Sequence, residues 1–276
     1  MSQTPDVQSL KAMARELRLE VLDVTTQVAS GHVSSSYSSV EILVALYFGG
    51  ILRYRPQEPH WPERDRFILS KGHAAPIFYS VLSRAGYFDR QEVYGLRTVN
   101  RRAEGHPVQD KLPGIETSAG SLGKGISVGL GHVLGGRLNR LDYRVYVLLG
   151  DGECQEGQIW ESAMAATHFK ADNLTAIVDY NKYQESGPIG REMGLEPFAT
   201  KWRAFGWHVE EVDGHDIGAI IETCKSVRAV KGQPSVVIAH TVKGKGVSFV
   251  EADYTFHGKA LSPEQADKAR EELLWS

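Results

Sequence analysis

Two cysteines in 276 residues exclude a disulfide framework, and neither Cys154 nor Cys224 stands in a CxxC pair that would point to redox or zinc chemistry. Also missing is any apolar run near the ~20 residues needed to span a bilayer. The opening MSQTPDVQSLKAMARELRLE is charged and amphipathic, without the apolar core of a secretion signal. These absences predict a cytosolic protein with no membrane contact. No charge of one sign dominates: the formal net charge is −3, and the densest basic spots, RR at 101–102 and KGK at 243–245, are too short to be a nucleic-acid footprint. What is present is ordinary globular material, 42% hydrophobic and 24% charged, enough for one large core.

Leu10, Met13, Leu17, Val21, Val24 and Val28 recur every three or four residues and predict an amphipathic helix, with a second from about 40 to 48. Beyond them, short β-rich runs at 66–70, 143–150, 174–180, 208–214 and 235–241 alternate with helical patterns near 74–85, 121–138, 155–169, 216–231 and 263–274. Such runs, each followed by a helix, predict an α/β fold: an open, mostly parallel sheet with helices on both faces. With no repeat and no linker, residues 1–276 read as one domain, carrying an N-terminal helical extension (about 7–48) and a C-terminal helix (about 263–274). For that last helix Ser262 is the expected N-cap, with Pro263 at its first position and Gln265 completing a capping box.

Ligands of open parallel sheets bind outside the carboxyl ends of the strands. Three such ends are unusual here: LSKGHA (69–74), LLGDGE (148–153) and VDYNKY (178–183). Asp151 ends a buried strand between two glycines, and Asn181 ends the next strand one βαβ unit later. A carboxylate, an amide oxygen and a nearby main-chain carbonyl are hard ligands suited to Mg²⁺ or Ca²⁺, with phosphate oxygens in the remaining positions. The competing reading makes the acids of GDGECQE mere decoration of a helix N-terminus; for Glu153 the two readings stand level. The stretch 118–136 holds Gly123, Gly125, Gly129 and Gly131, each weakening a helix by up to ~1 kcal/mol, so close approach to backbone or ligand is expected there. Cys154 reads as a small buried residue and Trp160 as a core anchor.

GDG at 150–152, followed after 27 residues (153–179) by YN at 180–181, resembles the thiamine diphosphate motif, with Tyr180 where that motif has its first Asn. SGHVSSSYS (30–38), LSKGHA, GHP (105–107), PGIETSAGSLGKGIS (113–127), the segment 150–181 and FHGK (256–259) are similar, in order, to transketolases.

The resemblance implies thiamine diphosphate as cofactor and Mg²⁺ (or Ca²⁺) held by Asp151, Asn181 and the carbonyl of Tyr183. Gly152 would donate its N–H to the diphosphate, His73 and His257 would lie near it, and Gly120 and Leu122 would touch the pyrimidine ring through backbone atoms. His32, His106 and His257 would serve catalysis, giving and taking protons near neutral pH. Glu156 and Glu161 resemble acids at a subunit interface. His132, His168, His208, His215 and His240 match nothing usable, and His60 reads as surface. The implied activity is transfer of a two-carbon ketol unit from a ketose (phosphate) to an aldose (phosphate). In transketolases a glutamate needed for cofactor activation lies in a pyrimidine-binding domain, and Ser276 comes before any such domain. A separate C-terminal subunit, in an α₂β₂ assembly, is therefore expected. The alternatives are the diphosphate-binding subunit of a 2-oxo acid dehydrogenase or decarboxylase, the enzyme joining pyruvate to glyceraldehyde phosphate, and a non-catalytic assembly subunit.

Overall fold

In the computed structural model, which describes residues 6–275, the apolar runs form five parallel strands: β1 (Arg66–Leu69), β2 (Val145–Gly150), β3 (Leu174–Tyr180), β4 (His208–Asp213) and β5 (Ser235–His240). Their order across the sheet is β1-β2-β3-β5-β4, so the chain passes β5's place to build edge strand β4 and then returns. The helices are α1 (Val7–Gln27), α2 (Val33–Tyr37), α3 (Val40–Phe48), α4 (Ala75–Arg84), α5 (Arg90–Val93), α6 (Gly125–Leu138), α7 (Gly157–His168), α8 (Ile189–Glu192), α9 (Phe198–Ala204), α10 (Ile217–Ala229) and α11 (Pro263–Trp275). Among the described residues no helix is long and apolar enough to cross a membrane.

Strand residues alternate between two cores, as the twofold pleat requires. Tyr146, Leu148, Ile177 and Val237 join the core under α1, α3, α4 and α10; Val145, Val147, Leu149, Ala176, Val178 and Ile238 join the one under α6, α7 and α9. Each central strand is thereby buried on both faces, which is why the runs read as continuously apolar. The α11 capping box forms as expected: Gln265 N–H donates to Ser262 Oγ at 3.3 Å, and Ser262 N–H donates to Gln265 Oε1 at 3.0 Å.

The glycines of 118–136 divide. A Cβ on Gly125 would lie 2.4 Å from Ser70 Cβ and one on Gly129 2.7 Å from Val147 Cγ2, so here α6 touches the sheet; one on Gly123 would lie 2.9 Å from Glu156 Cβ. Gly131 meets nothing within 4 Å, contrary to the expectation of close approach there. Helix α6 also starts four residues later than 121, after a turn. Trp160 is only partly covered. The deep anchor is Trp202 of α9, fully buried among Trp160, Phe198 and Trp207, in a helix with no clear periodic signal. Helix α2 is likewise unexpected, since its VSSSY carries polar residues that are nevertheless all buried.

Candidate active site

Register brings the site together before any side chain is considered. Gly150 of β2 pairs with Asp179 of β3, so the next residues, Asp151 and Tyr180–Asn181, leave the sheet side by side. Asp151 and Asn181 floor a cavity of about 510 Å³ at the carboxyl edge, within the ordinary range for small-ligand sites. His32, His73, His106, Gly120, Leu122, Asp151, Gly152, Glu156, Asn181, Tyr183 and His257 all line it, which gathers every site residue expected from the sequence except Glu161. Glu161 is exposed on α7, outside the cavity.

Four imidazoles converge over this floor. Ring centroids of His32 lie 5.2 Å from His73, 6.3 Å from His106 and 5.5 Å from His257, and His73 lies 5.1 Å from His257. Burial, reinforced by neighbouring cations, lowers all four: His32 to about 4, His257 to about 3, His73 well below its ordinary value and His106 below it. At neutral pH they are uncharged and can accept protons or hydrogen bonds. His32 Nδ1 is buried without a protein partner.

Asp151 is 2% exposed, and its pKa rises to about 7, first because burial disfavours the carboxylate and then because Asp179 lies nearby. Its Oδ1 accepts the Gly152 N–H at 2.8 Å and its Oδ2 the Lys182 N–H. Gly152's N–H thus points at Asp151 in this structure, whereas the resemblance aims it at a phosphate. Asn181 Oδ1 accepts from Tyr183 N–H at 3.1 Å. Among the described residues no three His, Cys, Asp or Glu side chains cluster as a metal site. A cation here would have two hard side-chain oxygens, and needs ligand oxygens to complete its sphere. A metal-bridged diphosphate fits that donor set.

Tyr180, in place of the motif's first Asn, turns away. Its hydroxyl donates to Glu196 and its ring stacks on Phe198 at 5.4 Å. Because side chains alternate along β3, the substitution falls on the core face and leaves Asn181 in place.

Glu153 is corrected by the structure. Far from decorating a helix start, it is 2% exposed, and its carboxylate accepts from Ser70 Oγ, from Gly123 N–H at 2.8 Å and from Gly150 N–H at 2.9 Å. It clamps the ends of β1 and β2 to the turn before α6. Among the residues unassigned in the sequence that also reach the cavity are Ser35, Lys71 and Lys243. Lys71 Nζ pairs with buried Asp179, which also accepts from Ser38, Ser39 and Thr241. Lys243 Nζ lies 3.0 Å from His257 Nδ1 and 3.2 Å from Ser35 Oγ. Burial and the Lys71 charge lower the Lys243 amine to about 8. The available signal was position: each lysine stands one to three residues after a strand, beside glycine.

Hard oxygens, two buried amines and neutral imidazoles at the strand ends make a polar pocket suited to an anionic ligand. The thiamine diphosphate binding domain of transketolase matches residues 9–276, and the chain belongs to that family. Human transketolase is 40% identical over 273 residues, 98% of this chain but 43% of its own length, so the chain spans less than half of such relatives. The 6-deoxy-6-sulfo-D-fructose transketolase subunit SqwG of Clostridium sp. (strain MSTE9) is 39% identical over 97% of this chain and 96% of its own. From Phocaeicola vulgatus, one subunit of an apulose-4-phosphate transketolase is 38% identical, with 97% of this chain and 94% of that one covered. Among solved structures, transketolase from Campylobacter jejuni superposes with a TM-score of 0.91 at 28% identity, over 98% of this chain and 43% of that one.

Proposed function

We propose that this chain is the diphosphate-binding subunit of a two-chain transketolase, moving a two-carbon ketol unit from a ketose (phosphate) to an aldose (phosphate). The observation that carries the reading is the meeting of four neutral histidines with the Asp151/Asn181 oxygens in one cavity. Support for two chains comes from the bacterial relatives named as subunits, which this chain covers almost end to end. The partner is a separate chain with a pyrimidine-binding domain, in an α₂β₂ assembly to which Glu156 and Glu161 are exposed. Membership of the transketolase family weighs against a 2-oxo acid dehydrogenase.

Asp151, Asn181 and the carbonyl of Tyr183 would hold Mg²⁺ (or Ca²⁺). Gly152, His73, Lys243 and Ser35 would contact the diphosphate, and Gly120 and Leu122 the pyrimidine ring. Thiamine diphosphate, when bound, supplies the nucleophilic carbon that ketol transfer requires. The chain's own residues do the rest. His32, whose ring lines the cavity among those of His73, His106 and His257, accepts a hydrogen bond or proton from a donor hydroxyl. His106 and His257 take part in the same traffic. Burial holds all three uncharged at pH 7, so that each keeps a ring nitrogen able to accept a hydrogen bond.

Calorimetry with thiamine diphosphate and Mg²⁺, on the wild type and Asp151→Ala, tests the site. Binding must be lost in the variant; unchanged binding sinks the metal assignment. Mixing with a pyrimidine-domain chain should produce transfer from xylulose 5-phosphate and not from pyruvate, while robust transfer by this chain alone overturns the two-chain reading.

A further inference from the structure

Among the described residues, four strands send side chains from their carboxyl ends into the cavity: Lys71 and His73 after β1, Asp151 after β2, Asn181 after β3 and Lys243 after β5. β4 sends none. Its end carries His215, which lies behind the wall with 15% of its side chain exposed. His215 Nε2 accepts the N–H of Val242 at 2.8 Å, so its proton sits on Nδ1, which faces Glu41 Oε2 at 2.9 Å.

Glu41 is gripped on its other side by Arg18 in a two-pronged pair at 2.6 and 2.7 Å. Arg18 also donates to the carbonyl of Lys245 at 3.1 Å and to that of Tyr37 at 3.2 Å. Arg18, Glu41 and His215 form one buried chain that touches the turn after β5 twice, at Val242 N–H and at Lys245 C=O. Lys243 stands between those two points, 1% exposed. The turn is held further by Gly244, whose N–H donates to Ser34 C=O at 3.0 Å. Its φ of +80° and a would-be Cβ 2.5 Å from Val250 C=O admit only glycine.

Burying an Arg–Glu pair gives little net stability, because desolvation offsets the attraction; a fully satisfied buried network instead specifies one arrangement. Here the arrangement specified is that of the backbone on both sides of Lys243, whose amine points at His257 and Ser35. We infer that His215 is a positioning residue: through the Arg18–Glu41–His215 chain it fixes the 242–245 turn so that the Lys243 amine faces the cavity floor. This rests on the reading of that floor as a diphosphate site.

The decisive variant is His215→Asn in the full-length chain, assembled with a pyrimidine-domain chain for the binding measurements. Its amide nitrogen takes the place of Nδ1 and still donates to Glu41, but the side chain ends short of Val242. Thiamine diphosphate with Mg²⁺ should bind at least tenfold more weakly, while His215→Gln, which keeps an acceptor at the far end, stays within about threefold of wild type. On a Lys243→Met background, His215→Asn should cost nothing further, since its effect passes through that amine. NMR titration of ¹³C-labelled Lys243 reads the same device without cofactor: the amine should return toward the ordinary lysine range in His215→Asn. Losses that multiply in the double variant, a loss without any effect of Lys243→Met, or unchanged affinity and Lys243 titration would each overturn the inference. Failure of the wild type to bind the cofactor would instead strike the reading of the site, and the Lys243 titration would still judge the positioning.

Discussion

Replacing Glu153 by Gln separates a clamp from a decoration. If the residue only favoured the start of a helix, the exposed charge would be worth about 0.3–1 kcal/mol. The structure makes a larger claim. One carboxylate oxygen takes Ser70 and Gly123, the other takes Gly150. An amide keeps one acceptor and turns the other into a donor, which must face a donor that is already there. One charge-assisted bond, worth about 1.5–3 kcal/mol, is lost, and two opposed buried donors remain at about 1 kcal/mol or more each, giving roughly 3–5 kcal/mol. For a chain of this size that is a fall of about 6–20 °C in Tm. Urea and thermal unfolding at pH 8 measure it, with exposed Glu156→Gln as the control expected to stay within about 0.5 kcal/mol. A Glu153→Gln chain within 1 kcal/mol of wild type would refute the clamp.

Lys71→Met leaves Asp179 buried with three hydroxyls and a long Asn181 amide contact at 3.5 Å but no cation, and should destabilise the chain by about 3–5 kcal/mol in urea unfolding. Asp151, held at about 7 by burial and Asp179, keeps its proton to higher pH when folded than when unfolded. Its contribution to stability therefore falls as pH rises from about 4 through 7. Asp151→Asn should make the cofactor-free chain more stable than wild type at pH 8 by about 1–3 kcal/mol, the relief of a buried charge less one backbone bond. The variant should also lose all stabilisation by Mg²⁺ with thiamine diphosphate. In helix α6, Gly131→Ala should raise stability by about 0.5–1 kcal/mol because nothing stands near it. Gly125→Ala should lower stability by more than 1 kcal/mol, since Ser70 occupies the space. Both are read by thermal unfolding.

The central strands β2, β3 and β5 and the Asp151/Asn181 pair were legible because their signals are local: an apolar run and a polar residue at its end. The His32, His73, His106 and His257 cluster was legible only through resemblance, since nothing in the chain's spacing says that four loops meet. Position along the chain alone does not sort Glu153 from Glu156. Both are acids at a helix start, and only the fold reveals that one faces three donors and the other solvent. Helix α2 was hidden because its serines are buried among lysines and an aspartate, a polar interior that hydrophobic patterning does not describe. His215 matched nothing usable in the sequence, because its two partners come from α3 and from the turn after β5.

The pairing of Gly150 with Asp179 carries an obligation beyond the site itself. A slip of one residue between β2 and β3 would move Asn181 by about 3.3 Å along the strand and turn it to the opposite face of the sheet. The same slip would push Ala176 and Val178 out of one core and Ile177 out of the other. The placement of Asp151 beside Asn181 and the packing of both cores are thus enforced by a single alignment of two strands. Volume changes at Val147 or Ile177, far from any ligand, should therefore register as altered cofactor affinity as well as lost stability.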